Sequence, residues 1–101
     1  MTTSTKREAQ RIVQRLLEKR LIACANIYGP VESRYWWQNK IEKAKETLVM
    51  MKSKQNLFTK LTEGVKEIHS YEVPEILAVP IVEGYRLYLE WLNATLLNVG
   101  E

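Results

Sequence analysis

Several residue types that build catalytic and structural sites are scarce or missing in this sequence. It contains no aspartate, one histidine (His69) and one cysteine (Cys24) among its 101 residues. A single cysteine excludes an internal disulfide, and a closed structural zinc site needs four Cys or His ligands. We therefore exclude a disulfide scaffold and a zinc finger within one subunit, and we expect a reducing cytoplasm as the location.

Long apolar runs and catalytic motifs are missing as well. The apolar stretch Ile76 to Val82 is far below the roughly 20 residues that cross a bilayer, and Pro80 interrupts it. The first residues lack the apolar core of a secretory signal. The sequence has no glycine-rich phosphate loop, no Gly-x-Ser-x-Gly and no His-Glu-x-x-His. We therefore predict neither a membrane protein nor an enzyme.

The positive charge is concentrated at the start of the chain. Residues 1 to 20 hold six Lys or Arg against two Glu, and the remainder holds nine against ten. Arg7, Arg11 and Arg15 would form one basic stripe on a helix. We interpret the stripe as a solvated helix face, with a phosphate or RNA contact as the alternative. The Lys/Arg-Gly-aromatic signature of RNA-binding strands is absent, so nucleic acid is not an expected partner.

Three helices are predicted from apolar periodicity. The first spans residues 6 to 20, and Thr5 followed by Glu8 forms a capping box at its start. Ser53 is expected to cap a second helix that runs to Ile68. A third spans residues 85 to 97, and the side chains expected to face inward are Tyr85, Tyr88, Leu89, Leu92 and Leu96.

Period-two patterns predict the strands between these helices. Residues 21 to 28 and 31 to 38 are separated by Gly-Pro, and a tight turn leads to a third strand from 41 to 52. Ile76 to Val82 is a further strand, whose proline favours a sheet edge or a bulge. This order predicts one domain over residues 1–101, an α+β sandwich with helices on one face of a mainly antiparallel sheet. A ferredoxin-like unit also needs a strand before the first helix, for which only Met1 to Thr3 is available, so that strand must be short.

Four segments carry a family resemblance in their order and spacing. They are residues 21 to 26 (LIACAN), 35 to 41 (YWWQNKI), 69 to 76 (HSYEVPEI) and 88 to 92 (YLEWL). Together they resemble the CutA family of divalent-cation tolerance proteins, from about Thr2 to Leu96. The resemblance implies a ferredoxin-like subunit, a PII-like homotrimer, a cytoplasmic location and a role in copper or other divalent-metal tolerance. Met1 and Ile68 stand where some bacterial relatives have a cysteine, discussed as a copper ligand, and a second histidine.

The candidate metal ligands are few. Cys24 and His69 are the strong soft-metal ligands, and Glu72 and Glu75 add carboxylates to the connector that follows His69. Cys24 is otherwise a buried apolar-strand residue, and His69 is otherwise a helix-terminal histidine. Because connectors expose functional groups and a buried thiol binds metal poorly, we predict that any bound ion involves His69, at the mouth of a cleft, more than Cys24.

Aromatic residues are numerous for this chain length. Trp37, Tyr71 and Trp91, together with Lys52, are candidates for a small-ligand cleft between subunits, with plain trimer packing as the alternative. The hairpin of residues 31 to 52 would expose aromatics and strand edges in a monomer, which predicts a trimer. We therefore predict a non-catalytic homotrimer that binds copper or another divalent cation. The alternative is a PII-like signalling module with a small ligand in its intersubunit clefts.

Overall fold

The computed structural model describes residues 1–98 and contains a three-stranded antiparallel sheet. The strands are β1 (Thr2–Thr3), β2 (Cys24–Trp37) and β3 (Lys40–Lys52). Their order is β1-β3-β2, so β3 is central and one edge of β2 is free within these residues.

The short first strand predicted from the sequence is confirmed. Thr2 pairs with Leu48 and Thr3 with Thr47 in an antiparallel ladder. Met1 extends the pairing, because its amino group donates to the Val49 carbonyl at 3.0 Å and its carbonyl accepts from the Val49 N–H at 2.7 Å. Two ladder residues and one flanking residue thus attach the start of the chain to the middle of the sheet.

The separation of β2 into two strands, expected at Gly29-Pro30, is wrong. The strand continues through both residues with a shift of register against β3, and the peptide bond between them is cis. A β-bulge of this kind bends a strand without ending it. A Cβ at position 29 would lie 3.2 Å from the Glu46 carbonyl oxygen and from the Thr47 Cα, so glycine permits the close approach of β3.

A two-residue turn closes the hairpin, as the sequence predicts. Trp37 pairs with Lys40, and the intervening Gln38 and Asn39 have φ angles of 50° and 64°. Positive φ at both central residues is the signature of the hairpin turns whose twist matches that of the strands. The long hairpin makes the subunit elongated, with a longest dimension of 44 Å.

The three predicted helices are present with shifted ends. They are α1 (Lys6–Glu18), α2 (Phe58–Lys66) and α3 (Arg86–Thr95). The predicted cap of α1 is confirmed, because the Thr5 hydroxyl accepts from the Glu8 N–H at 3.1 Å. The predicted cap at Ser53 is wrong. Its hydroxyl donates to the Leu21 carbonyl at 2.7 Å, and a short 3-10 helix, Gln55–Leu57, precedes α2.

One face of the sheet holds the core. Val49 belongs to one buried cluster with apolar residues of α1 and α2, and half-buried Ala25, Ile27 and Met51 pack against the same cluster. The buried apolar residues of the helices and adjoining segments are Ala9, Ile12, Val13, Leu16, Leu21, Ile22, Ala23, Leu57, Leu61, Val65, Leu92 and Leu96. The opposite face exposes Tyr28 (69%) and Met50 (57%). The predicted α+β sandwich with one helical face is therefore confirmed, and the opposite face has no layer of its own within residues 1–98.

The expected strand from residue 76 to 82 is not formed. This segment has no regular secondary structure and makes no ladder within residues 1–98, and Leu77, Val79 and Val82 are largely exposed. A strand is stabilised by hydrogen bonds to a neighbour, and β1 and β2 both pair only with β3. Tyr85 and Tyr88, expected to face inward on the last helix, are also exposed, whereas Leu92 of α3 and Leu96, which follows the helix, are buried.

Candidate functional site

The sole histidine lies in a buried polar cluster, not at the mouth of a cleft as the sequence analysis predicted. The segment after α2 turns back beside β1, where the His69 N–H donates to the Val65 carbonyl at 2.8 Å. The His69 side chain is 0% exposed. It was expected to be accessible because it begins a connector. Polar groups of β1 and α1 instead hold the imidazole ring in the interior of the subunit.

Both ring nitrogens of His69 are engaged by backbone groups. Nε2 lies 2.8 Å from the Thr2 carbonyl oxygen, which can only accept, so Nε2 carries the proton. Nδ1 accepts from the Tyr71 N–H at 3.1 Å. The ring of His69 therefore ties β1 to the connector through these two bonds. Nδ1 carries the only ring lone pair that could bind a cation. A cation bound to this ring must therefore displace the Tyr71 N–H.

Glu8 of α1 completes the cluster. Its carboxylate accepts from the Ser70 N–H at 2.6 Å and from the Ser4 hydroxyl at 3.2 Å, and it lies 3.9 Å from Nδ1 of His69. Burial by itself raises the pKa of Glu8, but the bonds from Ser70, the neighbouring His69 and the bond from Ser4 together outweigh it and lower that pKa. A buried carboxylate thus joins the start of α1 to the connector. The sequence marked Glu8 as a capping residue and gave no signal for this second contact.

Tyr71 links the connector to the hairpin. Its hydroxyl donates to Oε2 of Glu46 at 2.6 Å, and its ring lies 4.8 Å from that of His69. Burial, followed by the bond to Glu46, raises the pKa of Tyr71, so the phenol stays protonated and keeps donating. Glu46 is itself buried on β3. The polar residues around it in the sequence did not predict this burial.

The two predicted connector carboxylates lie on the surface next to this cluster. Glu72 and Glu75 are exposed, and neither forms an ion pair within residues 1–98. Burial lowers the pKa of the Met1 amino group, and the nearby Glu75 carboxylate raises the same pKa by a smaller amount. Within one chain, therefore, His69 and the two carboxylates share a short segment but differ in access to solvent.

Cys24 lies elsewhere, on the exposed face of the sheet. Its Sγ is 3.4 Å from the Tyr88 hydroxyl, and it pairs across the ladder with Lys52. The pKa of Tyr88 is raised mainly by the hydrogen bond with Cys24, and burial makes the next largest contribution. Cys24 aligns with Lys52, whereas β1 aligns with Leu48, four residues or about 13 Å away along β3. Cys24 and His69 therefore cannot share one ion within a subunit.

The four residues predicted for a ligand cleft are only partly together. Lys52 and Trp91 lie at one end of the hairpin, because Cys24 faces Lys52 and contacts Tyr88, whose ring is 5.5 Å from that of Trp91. Trp37 lies at the opposite end, beside the turn. Tyr71 lies between these ends, against Glu46. A cleft that uses all four residues would need more than one copy of the chain.

No helix within residues 1–98 is long and apolar enough to cross a membrane. Within the same residues, no group of three or more His, Cys, Asp or Glu side chains is arranged to hold a metal ion. Residues 1–98 of one subunit therefore do not assemble a metal site of three or more such ligands, nor the predicted ligand cleft.

Comparison with known proteins identifies the family. Residues 1–95 match the model of the CutA1 divalent ion tolerance protein. The chain belongs to the CutA1 family. The family is named for ion tolerance and not for a reaction, and its match covers all of the sheet and all three helices.

Solved CutA1 structures share this fold. The divalent cation tolerance protein from Thermus thermophilus has a TM-score of 0.92 and 42% identity, over 94% of this chain and 92% of that one. A protein from Archaeoglobus fulgidus described as a periplasmic divalent cation tolerance protein CutA has a TM-score of 0.90 and 42% identity, over 93% and 91%. These matches confirm the predicted ferredoxin-like α+β fold.

A plant relative differs in length and location. Protein CutA 1, chloroplastic, of Oryza sativa subsp. japonica is 40% identical over 92% of this chain but only 52% of its own length. Relatives are thus described as chloroplastic in one case and periplasmic in another. Membership of the CutA1 family therefore leaves the compartment of this chain open.

Proposed function

We propose that this chain acts as a non-catalytic homotrimer in tolerance of divalent metal ions, copper among them. The observation that carries the proposal is the match of residues 1–95 to the CutA1 divalent ion tolerance family. The buried carboxylates support the non-catalytic part. Glu8 and Glu46 each accept a hydrogen bond, from Ser70 and Tyr71 respectively, that fixes the carboxylate in a structural role.

The trimeric part is supported by two surfaces that match each other. The outer edge of β2 has unpaired ladder groups over a long strand, and Val79 (84% exposed) lies in an extended apolar segment without a ladder partner within residues 1–98. Exposed edges of this kind associate with other strands. Addition of the 76–82 segment of one copy to the sheet of another satisfies both surfaces, as in β-augmentation.

Light scattering coupled to gel filtration tests the assembly. A trimer of 11.8 kDa subunits gives about three times that mass, and this mass should persist at micromolar concentration. A stable species at the mass of one subunit would contradict the proposal.

We propose the connector as the metal-binding segment, with His69, Glu72 and Glu75 as ligands. Imidazole and carboxylate donors suit Cu(II) and Zn(II). Glu72 has no ion pair within residues 1–98, and Glu75 interacts only at longer range with the Met1 amino group. Nδ1 of His69 is available only after the Tyr71 N–H is released. Cys24 offers a separate thiol for a softer ion such as Cu(I).

Calorimetric titration of the native assembly with Cu(I), Cu(II) and Zn(II) tests these ligands. The exposed double change Glu72→Gln/Glu75→Gln should weaken Cu(II) or Zn(II) by at least about tenfold, or about 1.4 kcal/mol, without unfolding the chain. Glu63→Gln/Glu67→Gln, two exposed carboxylates of α2 and its end, is the matched control. His69→Ala should weaken the same ions more than Cys24→Ala does. Unchanged affinity in all of these variants would show that tolerance does not rest on chelation by these residues.

A second candidate is a PII-like module that binds a small ligand between subunits. The observation that favours it is the group of Lys52, Tyr88 and Trp91 around Cys24, which combines a cation with two rings tilted toward each other. Titration with nucleotides separates this function from metal binding. A nucleotide that binds the wild type and not the Trp91→Ala variant would favour the signalling module.

The cytoplasm is the proposed location, because the only thiol in the sequence, Cys24, is free. Cell fractionation against compartment markers tests this location directly.

A further inference from the structure

The outward face of α1 carries a row of unpaired cations. Arg7, Arg11 and Arg15 are all exposed and succeed one another every four residues on the helix. None of the three side chains forms a hydrogen bond or an ion pair within residues 1–98. The acidic residue of the first turn, Glu8, points into the core and bonds Ser70, so it does not offset this charge at the surface.

These arginines line one shallow groove of about 730 Å³ along the helix. Gln10 and Gln14 lie among them, and Glu18 and Glu67 close one end. Both of these carboxylates already have partners, because Glu18 accepts from Gln14 at 3.2 Å and Glu67 lies 3.8 Å from Nζ of Lys19. The groove therefore presents three unpaired guanidinium groups and the Gln10 amide against two carboxylates that are already engaged, which makes it a net positive surface complementary to anions.

We propose that this groove binds an acidic helix of a partner protein, with carboxylates on Arg7, Arg11 and Arg15. Residues four apart on a helix are about 6 Å apart along its axis, so glutamates at the same spacing on a partner helix align with the three arginines. Guanidinium groups bind carboxylates through two parallel hydrogen bonds, which favours a defined register. The glutamine amides between them can donate to further carboxylates.

The groove fits a protein better than a nucleic acid. Single-stranded RNA is held by stacking of bases on aromatic rings as well as by cations. The groove is lined by arginine, glutamine and glutamate with Ile68 as the apolar member, and no aromatic side chain of residues 1–98 is part of it. Cations alone would hold the phosphates without any platform for the bases.

Fluorescence anisotropy with designed peptides tests the proposal on the intact protein. The probe is a labelled alanine-based peptide of about 16 residues, long enough to form a helix, with glutamates at i, i+4 and i+8. The control peptide has the same composition with its glutamates adjacent. At about 50 mM salt, where surface charges are weakly screened, the spaced peptide should bind at least about tenfold more tightly than the control peptide.

Two double variants separate the groove from general positive charge. Arg11→Gln/Arg15→Gln should weaken binding of the spaced peptide by at least about tenfold, because the carboxylates lose two of their three guanidinium partners. Lys60→Gln/Lys66→Gln removes the same charge from exposed positions of α2 and should change affinity by less than about twofold. Glutamine is a good helix former, so circular dichroism should show both variants folded. Arg11→Glu/Arg15→Glu should bind the lysine version of the spaced peptide, which the wild type does not.

Three results would overturn the proposal. Equal affinity for the two glutamate peptides would show that the spacing has no role. An equal loss in the Lys60→Gln/Lys66→Gln protein would show a general charge effect. Tighter binding of an oligouridine RNA than of the spaced peptide, lost in the Arg11→Gln/Arg15→Gln protein, would assign the groove to nucleic acid instead.

Discussion

At the residue scale, Glu8 joins the start of α1 to the connector, since it accepts from Ser4 and Ser70 and lies beside His69. Its pKa in the folded chain is below the usual 4.5. The unfolded chain therefore binds the proton first as the pH falls, and the stabilising effect of the carboxylate is full above about pH 4.5 and disappears as the pH falls through the lowered pKa.

Glu8→Gln should show the size of this effect. The variant should lose about 1.5 to 3 kcal/mol at pH 7, because charge-assisted hydrogen bonds are replaced by neutral ones. The stability of the variant should also change less than that of the wild type between pH 7 and about pH 3, because position 8 no longer carries a carboxylate that can be protonated. Urea unfolding at fixed protein concentration measures both. A variant with an unaltered pH profile would show that other carboxylates set the acid stability.

Tyr71 provides a second test at the same scale. Tyr71→Phe should destabilise the fold by about 1 to 3 kcal/mol, because it leaves the buried Glu46 carboxylate without its donor. Tyr28→Phe is the matched control, since that hydroxyl belongs to an exposed ring without a bond in residues 1–98, and it should have almost no effect. Equal losses in the two variants, measured by thermal unfolding, would contradict a role for the Tyr71–Glu46 bond.

At the element scale, the hairpin depends on one position where β3 approaches β2 closely. Gly29→Ala would place a Cβ 3.2 Å from backbone atoms of Glu46 and Thr47, and backbone cannot rotate away as a flexible side chain can. We expect a loss of about 1 to 3 kcal/mol, as for overpacking of a core. Denaturant unfolding should show a lower midpoint for this variant, whereas Ser33→Ala in the same strand should stay near the wild type. An unchanged midpoint for Gly29→Ala would mean that the bulge relaxes freely.

At the scale of the whole molecule, association should depend on the exposed 76–82 segment. Leu77→Lys/Val79→Lys adds two charges to one face of an extended segment, and burying them between copies is unfavourable. Light scattering should then show dissociation toward the mass of one 11.8 kDa subunit. Gln55→Lys/Asn56→Lys adds the same charge at exposed positions next to α2 and should keep the wild-type mass. If both variants stay associated, the contact lies elsewhere.

The sequence by itself determined the local elements and the family. Thr5 and Glu8 marked the start of α1, and the turn residues Gln38 and Asn39 marked the end of β2, because caps and tight turns are satisfied by neighbours in the chain. The motif segments, including LIACAN and HSYEVPEI, resembled CutA, and residues 1–95 match that family. Its α+β class followed from the order of elements.

Only the tertiary structure decided where the polar side chains lie. His69 was expected in an open connector, but its ring is buried. The distant residue Thr2 and Tyr71, two residues further along the chain, offer backbone partners to its two nitrogens. Ser53 bonds Leu21 rather than capping α2, for the same reason: a hydroxyl takes whichever acceptor the fold brings to it. Residues 76 to 82 have strand character but no ladder within residues 1–98, since a strand, unlike a helix, needs hydrogen-bond partners from another segment.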